Sequence, residues 1–501
     1  MMELLGNLAL GFAAATTLEM LTVCFVGVLL GTFVGVLPGI GPLAAVAMLL
    51  PVSFHLPPEA ALILLAGVYY GAEYGGSTAS ILLNVPGTPS ASVTALDGFP
   101  MAQKGRAGVA LVLTAIASFV GGIVGVIVMA LLSPALAGFA LQFGPAEYFA
   151  VMVLGLVAAT VVGGRGIVRG LAMVCLGLLL GTIGVDVNSG ATRFTGGIPD
   201  LRDGIGLVVV AMGLFGVSEV IASIRGNTLQ KASQPFNFRS LMPKRDDWSR
   251  VPGPALRGSA VGSFFGTLPG AGQTVASFVG YAVEKRISRN SDQFGHGAVE
   301  GVVVPEAANN AAAQTAFIPT LTLGIPGSTT MALMLGALMI HGITPGPRLI
   351  ADHPSLFWGL IASFVIGNLM LLVLNIPLVG LWARILRVPH AMLYPSVAVL
   401  ICLGVYSLRL NLFDVWLTLG FGLLGYAMRL WRFEPAPLLI GFVLGPMIEE
   451  YFRRAMLLSR GDPMVFIERP GSATLLGIAL ALLVLAGLKP RRLLQRLLRT
   501  D

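Results

Sequence analysis

Long apolar stretches recur from one end of this chain to the other, separated by short polar segments. A helix needs about 20 apolar residues to cross a bilayer. Several of the stretches are interrupted by Gly and Pro, so we predict about twelve spans, some of them broken or re-entrant. The apolar stretches fall at 17–37, 40–54, 59–72, 76–102, 107–135, 137–161, 166–184, 203–224, 258–283, 298–325, 328–341, 355–386, 391–409, 412–431, 435–449 and 473–488.

Composition agrees with this pattern. The 501 residues are 55% hydrophobic and only 11% charged, and the mean hydropathy is +0.86. A soluble chain of this length needs far more charge to cover its surface. We therefore predict an all-α polytopic protein in a lipid bilayer. The net charge of +7 lies in short loops and the tail, which cytoplasmic loops explain better than nucleic acid as a partner.

Charge also divides the chain. Residues 225–257 carry seven Lys and Arg against Asp246 and Asp247, and the tail after Lys489 is basic as well. Basic segments of membrane proteins stay in the cytoplasm. We expect a first membrane repeat at 1–224, a basic cytoplasmic linker at 225–257, a second repeat plus additional C-terminal spans at 258–488, and a basic cytoplasmic tail at 489–501.

An internal repeat supports this division. GTFVGVLPGIG at Gly31–Gly41 and GSFFGTLPGAG at Gly262–Gly272 are identical at seven of eleven positions, with an offset of 231 residues. A second motif also occurs twice: NVPGTPS at Asn84–Ser90 corresponds to GIPGSTT at Gly324–Thr330, with an offset of 240 residues. Two motifs that recur in the same order indicate two structural repeats of the kind that transporters use.

Loop charges predict that the two repeats are inverted. The loop after the first LPG motif, Pro51–Glu59, has no Lys or Arg, whereas the one after the second has three at 285–289. After the Pro-Gly motifs the difference in loop charge is the opposite one. In the first half the segment 104–106 is basic, whereas in the second half the matching segment 341–353 has Arg348 opposed by Asp352. Basic loops that exchange places are expected when the halves have opposite orientations.

The Pro-Gly motifs break apolar segments and are the candidate substrate site. Backbone groups freed by Pro and Gly must be satisfied, so such breaks normally face protein or a wet cavity. A helix that starts after each break presents N–H groups and hydroxyls, which suits a carboxylate. A plain helix kink is the alternative, which the duplication disfavours. The predicted substrate-binding residues are Asn84, Pro86, Gly87, Thr88, Pro89, Ser90, Pro326, Gly327, Ser328, Thr329 and Thr330.

Polar clusters precede both breaks. Glu73 lies in EYGGST, and Glu306 is followed by Asn309 and Asn310. Ionisable groups inside a membrane are costly and are functional candidates by default. They could hold a cation or a proton, or they could lie at a membrane boundary. Asp97, beside Gly98 and Pro100, reads as a loop or helix-end residue.

The glycines of the LPG motifs are further candidates for cation coupling. Gly39, Gly41, Gly270 and Gly272 flank Pro38 and Pro269. Unwound backbone there could turn carbonyls towards a cation, or the glycines could serve as hinges and close-packing sites. Apart from a transported sodium ion, the sequence predicts no metal and no cofactor, since it lacks metal-binding and nucleotide-binding motifs.

These motifs resemble the large membrane subunit of the tripartite tricarboxylate transporter family. The similarity lies in Gly31–Pro42, Tyr70–Gly108, Gly262–Thr274 and Val303–Pro347. It implies a bacterial inner-membrane protein, with a cytoplasmic C-terminus, that works with a small integral membrane subunit and a periplasmic solute-binding protein. Such systems import citrate-like tricarboxylates or related organic acids without ATP. The family's Pro-Gly motifs correspond to Pro86–Pro89 and Pro326–Thr329.

Electrostatics independently favours coupling to an ion gradient. Moving a trianion into a cell that is negative inside costs about 7 kcal/mol per 100 mV, so accumulation requires co-transported Na⁺ or H⁺. The sequence does not choose between these ions. A homo-oligomer is a further prediction. The rival functions are a membrane enzyme acting on a lipid-linked substrate and a passive organic-anion channel.

Overall fold

A computed structural model describes residues 2–37, 41–162, 166–186, 189–223, 242–268, 272–385 and 390–487. Over these residues helix dominates, and the only sheet is an antiparallel pair of two-residue strands, β1 at Gly184–Val185 and β2 at Thr192–Arg193. The all-α prediction is confirmed.

The described residues of the first half form ten α-helices, with π-helical turns at Ala102–Arg106 and Met212–Val217. The helices are α1 Met2–Ala15, α2 Leu18–Val36, α3 Gly41–Ser53, α4 Pro58–Leu83, α5 Ala91–Met101, α6 Ala107–Ala140, α7 Pro145–Val162, α8 Ile167–Gly181, α9 Leu207–Ala211 and α10 Ser218–Ser223.

In the part of the second half that the structure describes, fourteen more α-helices follow. They are α11 Arg245–Ser249, α12 Pro252–Gly266, α13 Gly272–Ile287, α14 Val299–Thr315, α15 Phe317–Leu323, α16 Thr329–Ile340, α17 Leu349–Asp352, α18 Pro354–Asn375, α19 Val379–Ile385, α20 His390–Arg409, α21 Leu412–Leu430, α22 Pro435–Leu458, α23 Val465–Glu468 and α24 Pro470–Gly487.

Four helical stretches of the described chain are long and apolar enough to cross a membrane: Leu18–Val36, Ala91–Ala140, Pro354–Asn375 and Pro470–Gly487. Seven shorter apolar helices accompany them, so a multi-pass arrangement is supported, whereas twelve spans stay a prediction. The predicted gap between 59–72 and 76–102 is wrong, because α4 runs without interruption to Leu83. Glycine weakens a helix without removing a hydrogen bond, so Gly75 and Gly76 do not end it.

The predicted linker is described only after residue 241. There α11 and the first residues of α12 are folded, and α12 begins at Pro252, ahead of the boundary at 258. Asp247 is buried and pairs with Arg106 of the first half at 2.6 Å. Residues 224–241 and the tail from 488 lie outside the described residues.

Close glycine contacts join α2 to α4 and α12 to α14. A Cβ atom added to Gly27 would lie 2.6 Å from the Leu64 carbonyl oxygen, and one added to Gly258 would lie 2.5 Å from that of Val304. The next two glycines of each helix make the same kind of contact. The partners are Gly31 with Val68, Gly35 with Ala72, Gly262 with Ala308, and Gly266 with Ala312.

These contacts recur at the offsets of the sequence motifs: 231 residues on the glycine side and 240 on the carbonyl side. The halves therefore pack corresponding helices in the same register. The two central helices, α4 and α14, are buried along almost their whole lengths. The membrane orientation of each half, and hence the inversion, stays a prediction.

Candidate functional site

Each Pro-Gly motif forms a short non-helical segment, which we call a tip: the first tip is 84–90 and the second is 324–328. Asn84 ends α4 with φ 55°, and Gly324 ends α15 with φ 70°. This left-handed conformation favours Gly and tolerates Asn. Each tip then leads into a new helix, α5 or α16. The predicted breaks are therefore present.

The glycine of each tip packs on corresponding neighbours. Gly87 faces the Gly35 carbonyl oxygen, where an added Cβ would lie at 2.7 Å, and it also faces Gly76. Gly327 faces the carbonyl oxygen of Gly266 and the side chain of Ala316, more loosely, at 3.6 and 3.5 Å. The partners again differ by 231 and 240 residues. The first tip is thus more tightly packed than the second.

A hydroxyl caps the helix that follows each tip. The Thr88 Oγ1 atom accepts a hydrogen bond from the Ala91 N–H at 3.2 Å, and the Ser328 Oγ atom accepts one from the Met331 N–H at 3.3 Å. Such caps satisfy one of the free N–H groups at a helix start. At the start of α5, the next two N–H groups, of Ser92 and Val93, donate to the Pro89 and Ser90 carbonyl oxygens at 3.4 and 3.3 Å.

The other predicted tip residues differ in exposure. Asn84, Pro86 and Pro89 are exposed, whereas Gly87, Thr88 and Ser90 are buried. In the second tip and the start of α16, only Ser328 and Thr329 are partly exposed; Pro326, Gly327 and Thr330 are buried.

Glu73 is buried in the middle of α4 and connects the first tip to the second half. Its Oε2 atom accepts hydrogen bonds from Ser90 at 3.3 Å and Asn309 at 3.0 Å. Its Oε1 atom accepts one from Gln273 at 3.1 Å. Glu73 therefore does not lie at a helix boundary, and its carboxylate touches α13, α14 and the tip at once.

Gln273 extends this network towards the second tip. Its side-chain amide also donates to the Tyr69 hydroxyl, and the Ser328 side chain lies near that hydroxyl. Hydrogen bonds therefore connect the polar side chains from Ser90 to Tyr69, and this path ends beside the second tip. This path is the candidate functional site.

Glu306 is the other of the two predicted cation-coupling acids, and its side chain on α14 is buried, at 1% exposure. Its Oε1 atom accepts hydrogen bonds from Ser77 at 2.5 Å and Thr94 at 2.6 Å, and its Oε2 atom accepts one from Ser118 at 3.0 Å. Asn310 donates to the backbone carbonyl of Glu306 at 3.1 Å. All three hydroxyls belong to the first half of the chain.

The two acids are not equivalent in the repeat. At the 240-residue offset Glu73 corresponds to Ala313, and Glu306 corresponds to Ala66. The halves therefore share a backbone arrangement and differ in where each places its charge.

The candidate glycines are only partly described. Gly41 and Gly272 have φ values of 66° and 56°, at equivalent positions where their helices begin. Gly39 and Gly270 lie outside the described residues.

Sequence reasoning missed the partners of Glu306 and misplaced Asp97. Thr94 and Ser118 are isolated hydroxyl residues in apolar stretches, and nothing in the sequence around them indicates a functional role. Ser77, in contrast, lies four residues after Glu73 in a polar run, which could have identified it. Asp97 is not in a loop or at a helix end. It is fully buried within α5. Three backbone N–H groups of the second half donate hydrogen bonds to its carboxylate, and these bonds offset the cost of burying it.

The fold and site define a multi-pass, all-α membrane protein with two corresponding broken helices around buried carboxylates. Residues 21–440 match the sequence profile of the "Tripartite tricarboxylate transporter TctA family". The chain belongs to this family and is the large membrane subunit of a tripartite transporter, not an enzyme. The family implies a small membrane subunit and a periplasmic binding protein as partners.

Two relatives come from Agrobacterium vitis. The first, an "Uncharacterized 52.8 kDa protein in TAR-I ttuC' 3'region", is 50% identical over 486 residues, which are 97% of each chain. The second, an "Uncharacterized protein in TAR-II ttuC' 3'region", is 55% identical over 225 residues, 45% of this chain and 93% of the relative. No solved structure matched the chain.

Proposed function

We propose that this chain is the permease subunit of a secondary-active, binding-protein-dependent importer of tricarboxylates or related organic acids. A sodium or proton gradient drives uptake of the organic acid across the bacterial inner membrane. The C-terminus of the chain lies in the cytoplasm. The observation that carries the proposal is the hydrogen-bonded polar path that runs from Ser90 through Glu73 and Gln273 to Tyr69, from the first tip to the neighbourhood of Ser328 in the second.

The substrate carboxylates bind between the tips, and the hydroxyls and N–H groups of both helix starts receive them. The positive end of the helix dipole at a helix start attracts anions without a buried cation. The caps at Thr88 and Ser328 hold these helix starts in place. Pro86, Gly87, Pro89, Pro326 and Gly327 shape the tips around the anion.

The buried acids and their neighbours carry the coupling cation. Glu73, with Asn309, touches the first tip directly, so a cation or proton at Glu73 changes the charge that a bound anion meets. Glu306 with Asn310 and the Gly41 and Gly272 backbone are the remaining coupling groups. No resident cofactor takes part, and a homo-oligomer is compatible with this arrangement.

Reconstituted complex with the double substitution Thr88→Val and Ser328→Val tests the site. We expect uptake to fall by at least about tenfold, on the order of one lost hydrogen bond to a charged group. The conservative pair Thr88→Ser and Ser328→Thr retains both hydroxyls and should keep most of the uptake. Unchanged uptake in the Val variant would remove the tips from the substrate path.

The same assay separates importer from channel. Wild-type complex in liposomes should accumulate citrate or another organic acid against its gradient when a sodium or proton gradient is imposed. Purely downhill flux would instead support a passive organic-anion channel.

A further inference from the structure

Four oxygen-bearing side chains from four helices converge on one point inside the protein. Ser77 of α4, Thr94 of α5 and Ser118 of α6 lie 2.5, 2.6 and 3.0 Å from the Glu306 carboxylate of α14. Each of the four is at most 2% exposed. We call these four residues the Glu306 cage.

The cage contains one negative charge and no positive one. In the described part of the chain, no ion pair involves Glu306, whereas Glu147, Glu284 and Glu300 each pair with an arginine. A buried charge is costly unless it is paired. The cage offers five side-chain oxygen atoms and no side-chain nitrogen or sulphur, and hard cations prefer oxygen ligands.

Two further features lie beside the cage. A cavity of about 10 Å³, close to the minimum that one water needs, is lined by Ser118 together with Thr78, Thr114, Tyr74 and Asn375. One helical turn from Glu306, the Asn310 Oδ1 atom is buried and has no hydrogen-bond partner. An unpaired buried amide oxygen is a further potential ligand.

We propose that the Glu306 cage is a binding site for one sodium ion. The ion is held by the carboxylate and by the hydroxyl oxygens of Ser77, Thr94 and Ser118. These oxygens are in direct hydrogen-bond contact at 2.5–3.0 Å, so they move apart and turn their protons outward when the ion binds. The small polar cavity supplies a water ligand. A role of this ion in driving uptake rests on the proposed function, whereas the binding itself does not.

Glu73 does not form a second site of this kind. Only one of its three partners, Ser90, is a hydroxyl, whereas Asn309 and Gln273 donate N–H groups to it. The repeat counterpart of Glu306 is Ala66, so the repeat does not duplicate the cage.

Sodium binding is measured on the purified full-length chain by its melting temperature in NaCl and in choline chloride at equal ionic strength. Sodium should raise the melting temperature of the wild type, because a ligand that binds the native state stabilises it. Ser118→Ala and Glu306→Gln should weaken this response, with an apparent sodium affinity at least about tenfold lower for Ser118→Ala.

Ser133→Ala is the matched control. It removes an equally buried hydroxyl from the same helix, α6, where that hydroxyl has no hydrogen-bond partner. Because Glu306→Gln could misfold, the proposal is judged by comparing the sodium-induced rise in melting temperature of Ser118→Ala with that of Ser133→Ala. Equal sodium responses in these two variants, or no sodium response in the wild type, would overturn the site.

Transport failures are distinguishable from this result. If the wild-type chain shows no sodium response and the complex accumulates substrate in a proton gradient alone, the sodium site is wrong and the importer stands. If sodium binds but no gradient supports accumulation, the site stands and the proposed function fails.

Discussion

Asp97 accepts a hydrogen bond of 2.8 Å from the backbone N–H of Gly297, although the two residues belong to different halves of the chain. The same Oδ1 atom accepts the N–H groups of Gly295 and Ala298, each at 2.8 Å, and Tyr281 donates to Oδ2 at 2.9 Å. The helix that follows the first tip is therefore anchored to a loop of the second half.

Asp97→Ala should destabilise the protein by about 1–3 kcal/mol, because it leaves the backbone N–H groups of Gly295, Gly297 and the buried Ala298 without their acceptor. The measurement is thermal unfolding of the purified chain in detergent. Asp292→Asn, an exposed position near the same loop, should change the melting temperature little. Equal melting temperatures for the two variants would show that the anchor contributes nothing to stability.

Gly35→Ala and Gly266→Ala should both impair folding, because each new methyl group would meet the backbone of the partner helix. Overpacking of this kind costs about 1–3 kcal/mol or more. Folded yield by size-exclusion chromatography is the measurement. Gly138→Ala, on α6 with open space around it, is the control. If its folded yield were as low as that of the other two variants, the close glycine contacts would not be the cause of the lost yield.

Glu73→Gln should reduce gradient-driven uptake and weaken its dependence on the cation concentration. The amide keeps the size of the side chain and loses the charge that faces Ser90 and Asn309. Uptake by reconstituted complex, measured over a range of sodium and proton gradients, gives both quantities. Glu59→Gln lies on the same helix, α4, in its first turn, and should transport normally. Coupling that is unaltered by Glu73→Gln would remove this carboxylate from the cation path.

The inverted arrangement predicts that Lys104→Cys and Asp352→Cys react with a membrane-impermeant maleimide from opposite sides. Both positions are exposed, and the background chain has Cys24, Cys175 and Cys402 replaced by Ala. Lys104→Cys, in a basic segment, should react only in inside-out vesicles. Asp352→Cys should react in cells whose outer membrane has been permeabilised. Labelling of both from one side would contradict the inversion.

The sequence predicted the features that depend on local chemistry. The breaks at 84–90 and 324–328 follow from Pro and Gly in apolar segments, and the functional candidacy of Glu73 and Glu306 follows from the cost of burying charge. The two repeated motifs predicted two structural repeats, and their offsets recur in the glycine contacts of α2 with α4 and of α12 with α14. Each of these signals is contained within a short stretch of chain.

Long-range partners could not be predicted. Thr94 and Ser118 lie 212 and 188 residues from Glu306, and an isolated hydroxyl in an apolar stretch more often bonds to its own helix. Asp97 was misjudged because Gly98, Pro100 and Lys104 resemble a loop. Pro100 is tolerated in the last turn of α5, ahead of the π-helical turn.

The glycine contacts between α2 and α4 have a genetic consequence. A larger residue at Gly35 meets the carbonyl group of Ala72, and every amino acid at position 72 carries that same carbonyl. No substitution at the contact itself can restore the lost space. Selection for revertants of Gly35→Ala should therefore return the original codon or changes that let α2 shift as a whole, and never a compensating side chain on α4.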